Sequence, residues 1–275
     1  MKSIFNSDRR SFLKAGAFIA GSAFTQSGVI ASPNILHDLY KPKSKIKGVQ
    51  IGCITYSFRD MPDQSAEATL QYVLDSGISA IELMGDPAET FAGRPKNPVD
   101  FKAMFPLMRK QREKIDLTDE EKKQLDEMQA TTKAYREEVK NWRMSAPMNK
   151  FTQLGKMYKK AGVKIYAFKP DAFGLQNSDA EIEYGMQAAK NLGANQVTVE
   201  HPGNDAHTLK LSGFAQKYGL RVGYHGHEQQ KTALWDTALG QSSANAMNLD
   251  LGHYIAAGNT DALDLIRKRH DRISS

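Results

Sequence analysis

Four of the seven histidines in this 275-residue chain stand with acids at the ends of short apolar runs in its second half: Glu200-His201, His225-Gly226-His227-Glu228 and Asp250-Leu251-Gly252-His253. Imidazole and carboxylate together make a ligand set for a divalent metal (Mn, Co, Fe or Zn, with Mg also a candidate). Such a set leaves coordination positions open for a substrate's oxygens. A lone histidine is more often a hydrogen-bonded structural residue. The case rests on four of them recurring in one context, each where a short apolar run ends. The single cysteine, Cys53, excludes an internal disulfide and lies in an apolar run, as a small core residue does.

The runs that end at these residues alternate with amphipathic stretches. Strands are expected over Val49 to Tyr56, Ala80 to Met84, Val163 to Phe168, Gln196 to Glu200, Leu220 to His225 and Ala246 to Asp250. Arg272 to Ser275 looks like the opening of a seventh. Helices are expected over Asp63 to Leu74, Asp179 to Asn191, Thr208 to Lys217 and Thr260 to Lys268. Gly77, Gly162 and Gly219 each follow a helix and precede a strand, as left-handed αβ turns require. Repeated βα units argue for a parallel sheet covered by helices, either a barrel or a doubly wound sheet. No Gly-x-Gly-x-x-Gly follows the first strand, so a dinucleotide fold gains no support. In a barrel the site lies at the C-terminal strand ends. There the sequence puts Tyr56 (first strand), Lys169 (third), Glu200 and His201 (fourth), His225, His227 and Glu228 (fifth), and Asp250 and His253 (sixth).

One charge-rich segment, residues 95–148, interrupts this rhythm after the second strand. Thr118 and Glu121 form a capping box, so a long solvated helix is expected from Asp119 to Trp142. It reads either as a helical arm or lid beside the barrel mouth or as a surface excursion. At the N-terminus, Arg9-Arg10-Ser11-Phe12-Leu13-Lys14 precedes an apolar run from Ala15 to Phe24. The run is too short for a comfortable membrane span and resembles a twin-arginine export signal over residues 1–31. Export through the twin-arginine machinery implies a periplasmic location, with residues 32–275 as the barrel domain. The formal charge is +6, and without residues 1–31 it falls to 33 bases against 30 acids. The remaining bases are mixed with acids, which argues against a nucleic-acid partner.

Tyr224-His225-Gly226-His227-Glu228 and Asn248-Leu249-Asp250-Leu251-Gly252-His253 resemble two strands of the xylose-isomerase-like sugar phosphate isomerase/epimerase superfamily. Gly48-Val49-Gln50-Ile51-Gly52 and Gly77 to Leu83 resemble its first two strands, and the insertion lies outside the likeness. The resemblance implies a (β/α)8 TIM barrel and a divalent metal held by the later strands. By position it assigns Asp250 and His225 to the metal, although some members carry a carboxylate where His225 stands. It assigns His227, Glu228 and Glu200 to acid–base work and His201 and His253 to substrate contact, and Lys169 and Tyr56 are added to the substrate set from their places at strand ends. Of the family's seventh strand only the opening has a counterpart here, Arg272 to Ser275, and the eighth has none, so the barrel is expected to be truncated after about six strands.

The activity this implies is isomerisation or epimerisation of a sugar or keto-sugar through a metal-stabilised enediolate. A β-eliminating lyase of 3-keto-glycosides and a non-catalytic carbohydrate-binding barrel are the alternatives. The expected partner is a small sugar, with a homo-oligomer as a further candidate and no stable membrane insertion.

Overall fold

The computed structural model describes residues 41–228 and 230–275, and the export-signal expectation lies outside them. A two-stranded antiparallel hairpin, β1 (Lys45–Ile46) and β2 (Val49–Gln50), comes first. Six parallel strands follow: β3 (Cys53–Ile54), β4 (Ala80–Met84), β5 (Lys164–Lys169), β6 (Gln196–Val199), β7 (Arg221–His225) and β8 (Asn245–Asn248). The first expected strand is therefore corrected. Its front half forms the hairpin and its end, Thr55–Phe58, is a 3-10 helix, so only Cys53 and Ile54 join the sheet.

Each strand of the sheet pairs with the next in sequence, with no reversal of order. A doubly wound sheet reverses at a switch point, so this order selects the barrel. Side chains confirm the curl. Strands lie about 4.8 Å apart, so β4 and β8 would be roughly 19 Å apart in a flat sheet. Instead, Asn248 Nδ2 on β8 donates to Glu82 Oε2 on β4 at 2.8 Å. Asn248 also lies 3.4 Å from Thr198 Oγ1 on β6. Glu82, Thr198 and Asn248 come from alternate strands, as an interior layer of a (β/α) barrel does. The sheet is open beyond β8, where Ile273 bridges Met247 in parallel and Leu249 N donates to Ser275 O at 2.8 Å. This is the start of a seventh strand.

The helices cover the outer face: α1 (Ala66–Asp75), α2 (Gly85–Phe91), α5 (Met148–Lys160), α6 (Asp179–Leu192), α7 (Asp205–Tyr218), α8 (Asp236–Gln241), α9 (Leu251–Ala256) and α10 (Ala262–Arg269). Their apolar faces and the outward strand residues form one core, with Phe151 and Leu154 of α5 and Phe168 of β5 fully buried. In α6 the Ser178–Glu181 capping box fixes the start, and Gly193, left-handed at φ 81°, ends the helix before β6.

The inserted segment is an antiparallel helical hairpin, α3 (Phe101–Arg112) and α4 (Asp119–Met144). The Thr118–Glu121 capping box is formed. Charge density hid α3 from sequence reading, yet Met104 and Leu107 bury against Leu125 of α4 in a satellite cluster. At its far end α4 is locked to the barrel through buried Arg143. Its guanidinium bonds Glu89 Oε1 and Glu181 Oε1, each at 3.2 Å. Glu89 also accepts from Tyr184 Oη at 3.0 Å and from Arg94 Nη1 at 2.8 Å.

Candidate metal centre

β7 carries His225 to its C-terminal end, and the loop after it presents His227 and Glu228. β8 delivers Asp250, whose Oδ1 caps α9 by accepting from the His253 backbone N–H at 2.8 Å. That cap fixes the first turn of α9 and turns the His253 ring back over the strand ends. One nitrogen each of His225, His227 and His253 can lie within 4.8 Å of the others. The His225 and His227 rings meet edge-on at 4.8 Å between centroids, and so do those of His227 and His253.

Carboxylates set the tautomers. Glu200 Oε2 lies 2.8 Å from His227 Nε2, and Glu228 Oε1 lies 3.2 Å from His253 Nδ1. A carboxylate accepts, so each of those nitrogens carries the proton. The remaining nitrogens, His227 Nδ1 and His253 Nε2, then face each other with lone pairs at 3.3 Å. Two lone pairs at that distance repel unless a proton or a cation lies between them. The edge of a tetrahedron around a zinc-sized ion, with nitrogens at about 2.05 Å, is roughly 3.3 Å. Carboxylate-backed histidines of this kind hold metals in proteins. Burial, helped by the Lys169 ammonium, pushes the His225 imidazole below the ordinary histidine pKa and keeps a lone pair available. The donor set therefore fits a divalent ion.

Glu200 joins this cluster to a cavity of about 440 Å³ at the ends of β4, β5 and β6. Lys169 Nζ contacts Glu200 Oε1 at 2.8 Å. Burial opposes ionisation of Glu200, but Lys169 and His227 hold its carboxyl below the usual range. His201 lines the same cavity. Asp250 Oδ2 stands 4.0 Å from His253 Nε2, at the edge of the cluster. The structure thus brings His225, His227, His253, Glu200, Glu228, Asp250 and Lys169 into one connected site. Tyr56 does not join them. It is 53 % exposed on the 3-10 helix after β3, with the Arg59 guanidinium over its ring at 4.7 Å.

Sequence reasoning put Glu82 at a strand but gave it no role. It lies inside the barrel, 3 % exposed, with Oε1 buried and unpartnered among the described residues. Burial raises its pKa, an effect that Lys169, Asn248 and Thr198 only partly offset. The signal was one acid within an otherwise apolar five-residue strand. Arg94 and His207 also line the cavity. They come from a loop and a helix, where no strand-end rule could find them.

No family model and no curated protein matches this chain. Among solved structures, a xylose isomerase-like TIM barrel/4-hydroxyphenylpyruvate dioxygenase fusion protein superposes with a TM-score of 0.50 at 16% identity. That match covers 82% of this chain and 30% of the fusion protein. A sugar phosphate isomerase/epimerase from Parabacteroides distasonis aligns at 15% identity and TM-score 0.46, over 84% of this chain and 75% of its own. A xylose isomerase domain protein from Planctomyces limnophilus gives 11% identity and TM-score 0.48, over 82% and 71%. The likeness to the fusion protein is one of fold.

Proposed function

We propose that the chain is a metal-dependent sugar isomerase or epimerase, with His225, His227 and His253 as the metal ligands and Asp250 at the margin of the set. The observation that carries this reading is the 3.3 Å approach of two imidazole nitrogens whose opposite nitrogens each face a carboxylate. A divalent ion held there supplies Lewis-acid polarisation of a substrate carbonyl. His227 and His253 thereby move from the acid–base and substrate roles expected from sequence to the metal.

Glu200 is the acid–base group that remains. It lines the cavity, is kept ionised by Lys169, and lies beside the metal ligands through His227. As a carboxylate it removes the proton from the carbon next to the substrate carbonyl and returns it to the neighbouring carbon, whereas inversion at the same carbon needs a second proton donor on the opposite face. Lys169 limits the basicity of Glu200 and holds its carboxylate toward the cavity. Glu228 orients His253. The exported, periplasmic setting implied by the N-terminus favours an unphosphorylated sugar or keto-sugar.

The test is metal content together with solvent-deuterium exchange into keto-sugars. Stoichiometric metal, with exchange lost in Glu200→Gln, supports the reading. A chain that stays metal-free after incubation with Mn, Co, Fe, Mg and Zn refutes it. Exchange followed by an unsaturated product assigns the lyase alternative instead.

A further inference from the structure

The α3–α4 hairpin carries a surface that the barrel chemistry does not use. On α3, Met104 and Leu107 face α4, yet Phe101, Phe105 and Met108 recur at i, i+4 and i+7 on a different side. These three are 51 %, 63 % and 45 % exposed. Arg112 continues the stripe by one turn, and Arg109 flanks it.

The neighbouring helix adds a surplus of basic charge on that side. Three contacts fix the antiparallel sense: Lys110 with Glu121, Met104 with Thr132, and Pro95 with Tyr135. With side chains turning about 100° per residue, Lys133 and Arg136 then fall on the same side of the hairpin as the aromatic stripe. Glu120, Glu127 and Glu138 fall on the other. Arg112, Lys133 and Arg136 carry no ion pair among the described residues, and Arg109 pairs only with Glu113 of its own helix. The aromatic side of the hairpin thus carries a surplus of bases, with Asp126 on the same stripe as Lys133 and with Asp119 and Glu137 at its outer margin.

We propose that this face docks the protein on an anionic lipid bilayer surface. The three apolar side chains expose roughly 300 Å² in all. That is far below the roughly 800 Å² per partner of a stable protein–protein contact. A second copy would also bring like charges together. The concavity among Phe105, Met108, Arg109, Gln111 and Arg112, about 270 Å³, is too small to hold a run of stacked bases of a single-stranded nucleic acid. Phe and Met in the headgroup region, with Arg and Lys on the phosphates, match an interfacial helix lying in the membrane plane. No described helix is long and apolar enough to cross a bilayer, so the contact is peripheral.

The probe is the full chain carrying Phe105→Trp, mixed with vesicles containing brominated lipid, so that quenching reports contact at position 105 itself. Trp235, buried in the barrel, and Trp142, at the barrel end of α4, serve as internal references. Expected is quenching by phosphatidylglycerol-rich vesicles, little quenching by pure phosphatidylcholine, and loss of the signal in high salt. Replacing Arg109, Arg112, Lys133 and Arg136 by Gln weakens binding on the order of five-fold per charge. Circular dichroism and a metal-content assay check that these exposed substitutions leave the barrel intact. Vesicle binding without quenching at position 105 overturns the proposal, because the contact then lies elsewhere. Equal quenching by both lipids overturns it as well. So does tighter binding of a single-stranded oligonucleotide, or concentration-dependent self-association that the Gln variants abolish.

Discussion

Arg143→Met tests how the inserted hairpin is held. The Arg143 side chain is 6 % exposed, and its partners Glu89 and Glu181 are equally enclosed. Removing one member of a buried ion pair costs about 3–5 kcal/mol, because the remaining charges lose their partner. Here each acid keeps other donors. Glu89 retains Arg94 and Tyr184, and Glu181 retains Asn177 and Ser178. The loss should therefore fall at the lower end, about 3 kcal/mol, which for a domain of this size is a Tm lower by roughly 6–12 °C. Urea unfolding followed by tryptophan fluorescence suits the measurement, because Trp142 meets Tyr184 edge-on at 5.8 Å beside the substituted residue. Adding Glu181→Gln to Arg143→Met should restore part of the loss, because Arg143 is the one cationic partner of Glu181 among the described residues. A loss below about 1 kcal/mol, or a double variant no better than the single, would refute the view that this network anchors α4.

Further outcomes follow from the same geometry. His227→Ala and His253→Ala should each abolish metal retention through dialysis, and Glu200→Gln should weaken it about 10–100-fold, read by competition with a chromophoric chelator. Acidification should release the metal, since protons compete for the same imidazole nitrogens. In chelator, with no metal present, His225 adds a second pH effect. Its pKa is lowered on folding, so its stabilising contribution is present above the ordinary histidine pKa of about 6.5 and fades as pH falls through the folded value. A Tm that falls just as steeply in His225→Asn would rule that contribution out. Gly155→Ala should cost about 1–3 kcal/mol by thermal melting. A Cβ there would stand 2.5 Å from the Leu192 carbonyl oxygen, so α5 and α6 must separate.

The alternation of strands and helices was legible because local rules govern it. Gly77, Gly162 and Gly219 take left-handed turns between helix and strand, as the sequence indicated. The clustering of His225, His227 and His253 was legible because strand ends in a barrel share one rim. Their division of labour was not. It depends on which nitrogen faces which carboxylate, and Glu200 and His227 are 27 residues apart. The Tyr56 expectation assumed that the first strand continued to the rim, whereas the chain turns into a 3-10 helix after Ile54. The Arg143–Glu89 contact, 54 residues apart across the insertion, has no local signature at all.

The contact between Glu82 and Asn248 also constrains the order in which the chain folds. Neighbouring strands pair along the sequence, so the βα units can add one after another as the polypeptide lengthens. The Glu82–Asn248 bond spans 166 residues and joins strands four places apart. It cannot form until the intervening strands are in register and the sheet has bent. Its loop-closure entropy must be met before it returns any stabilisation. Interior polar contacts are therefore late events, and early in folding Glu82 remains a hydrated carboxylate on a growing sheet edge.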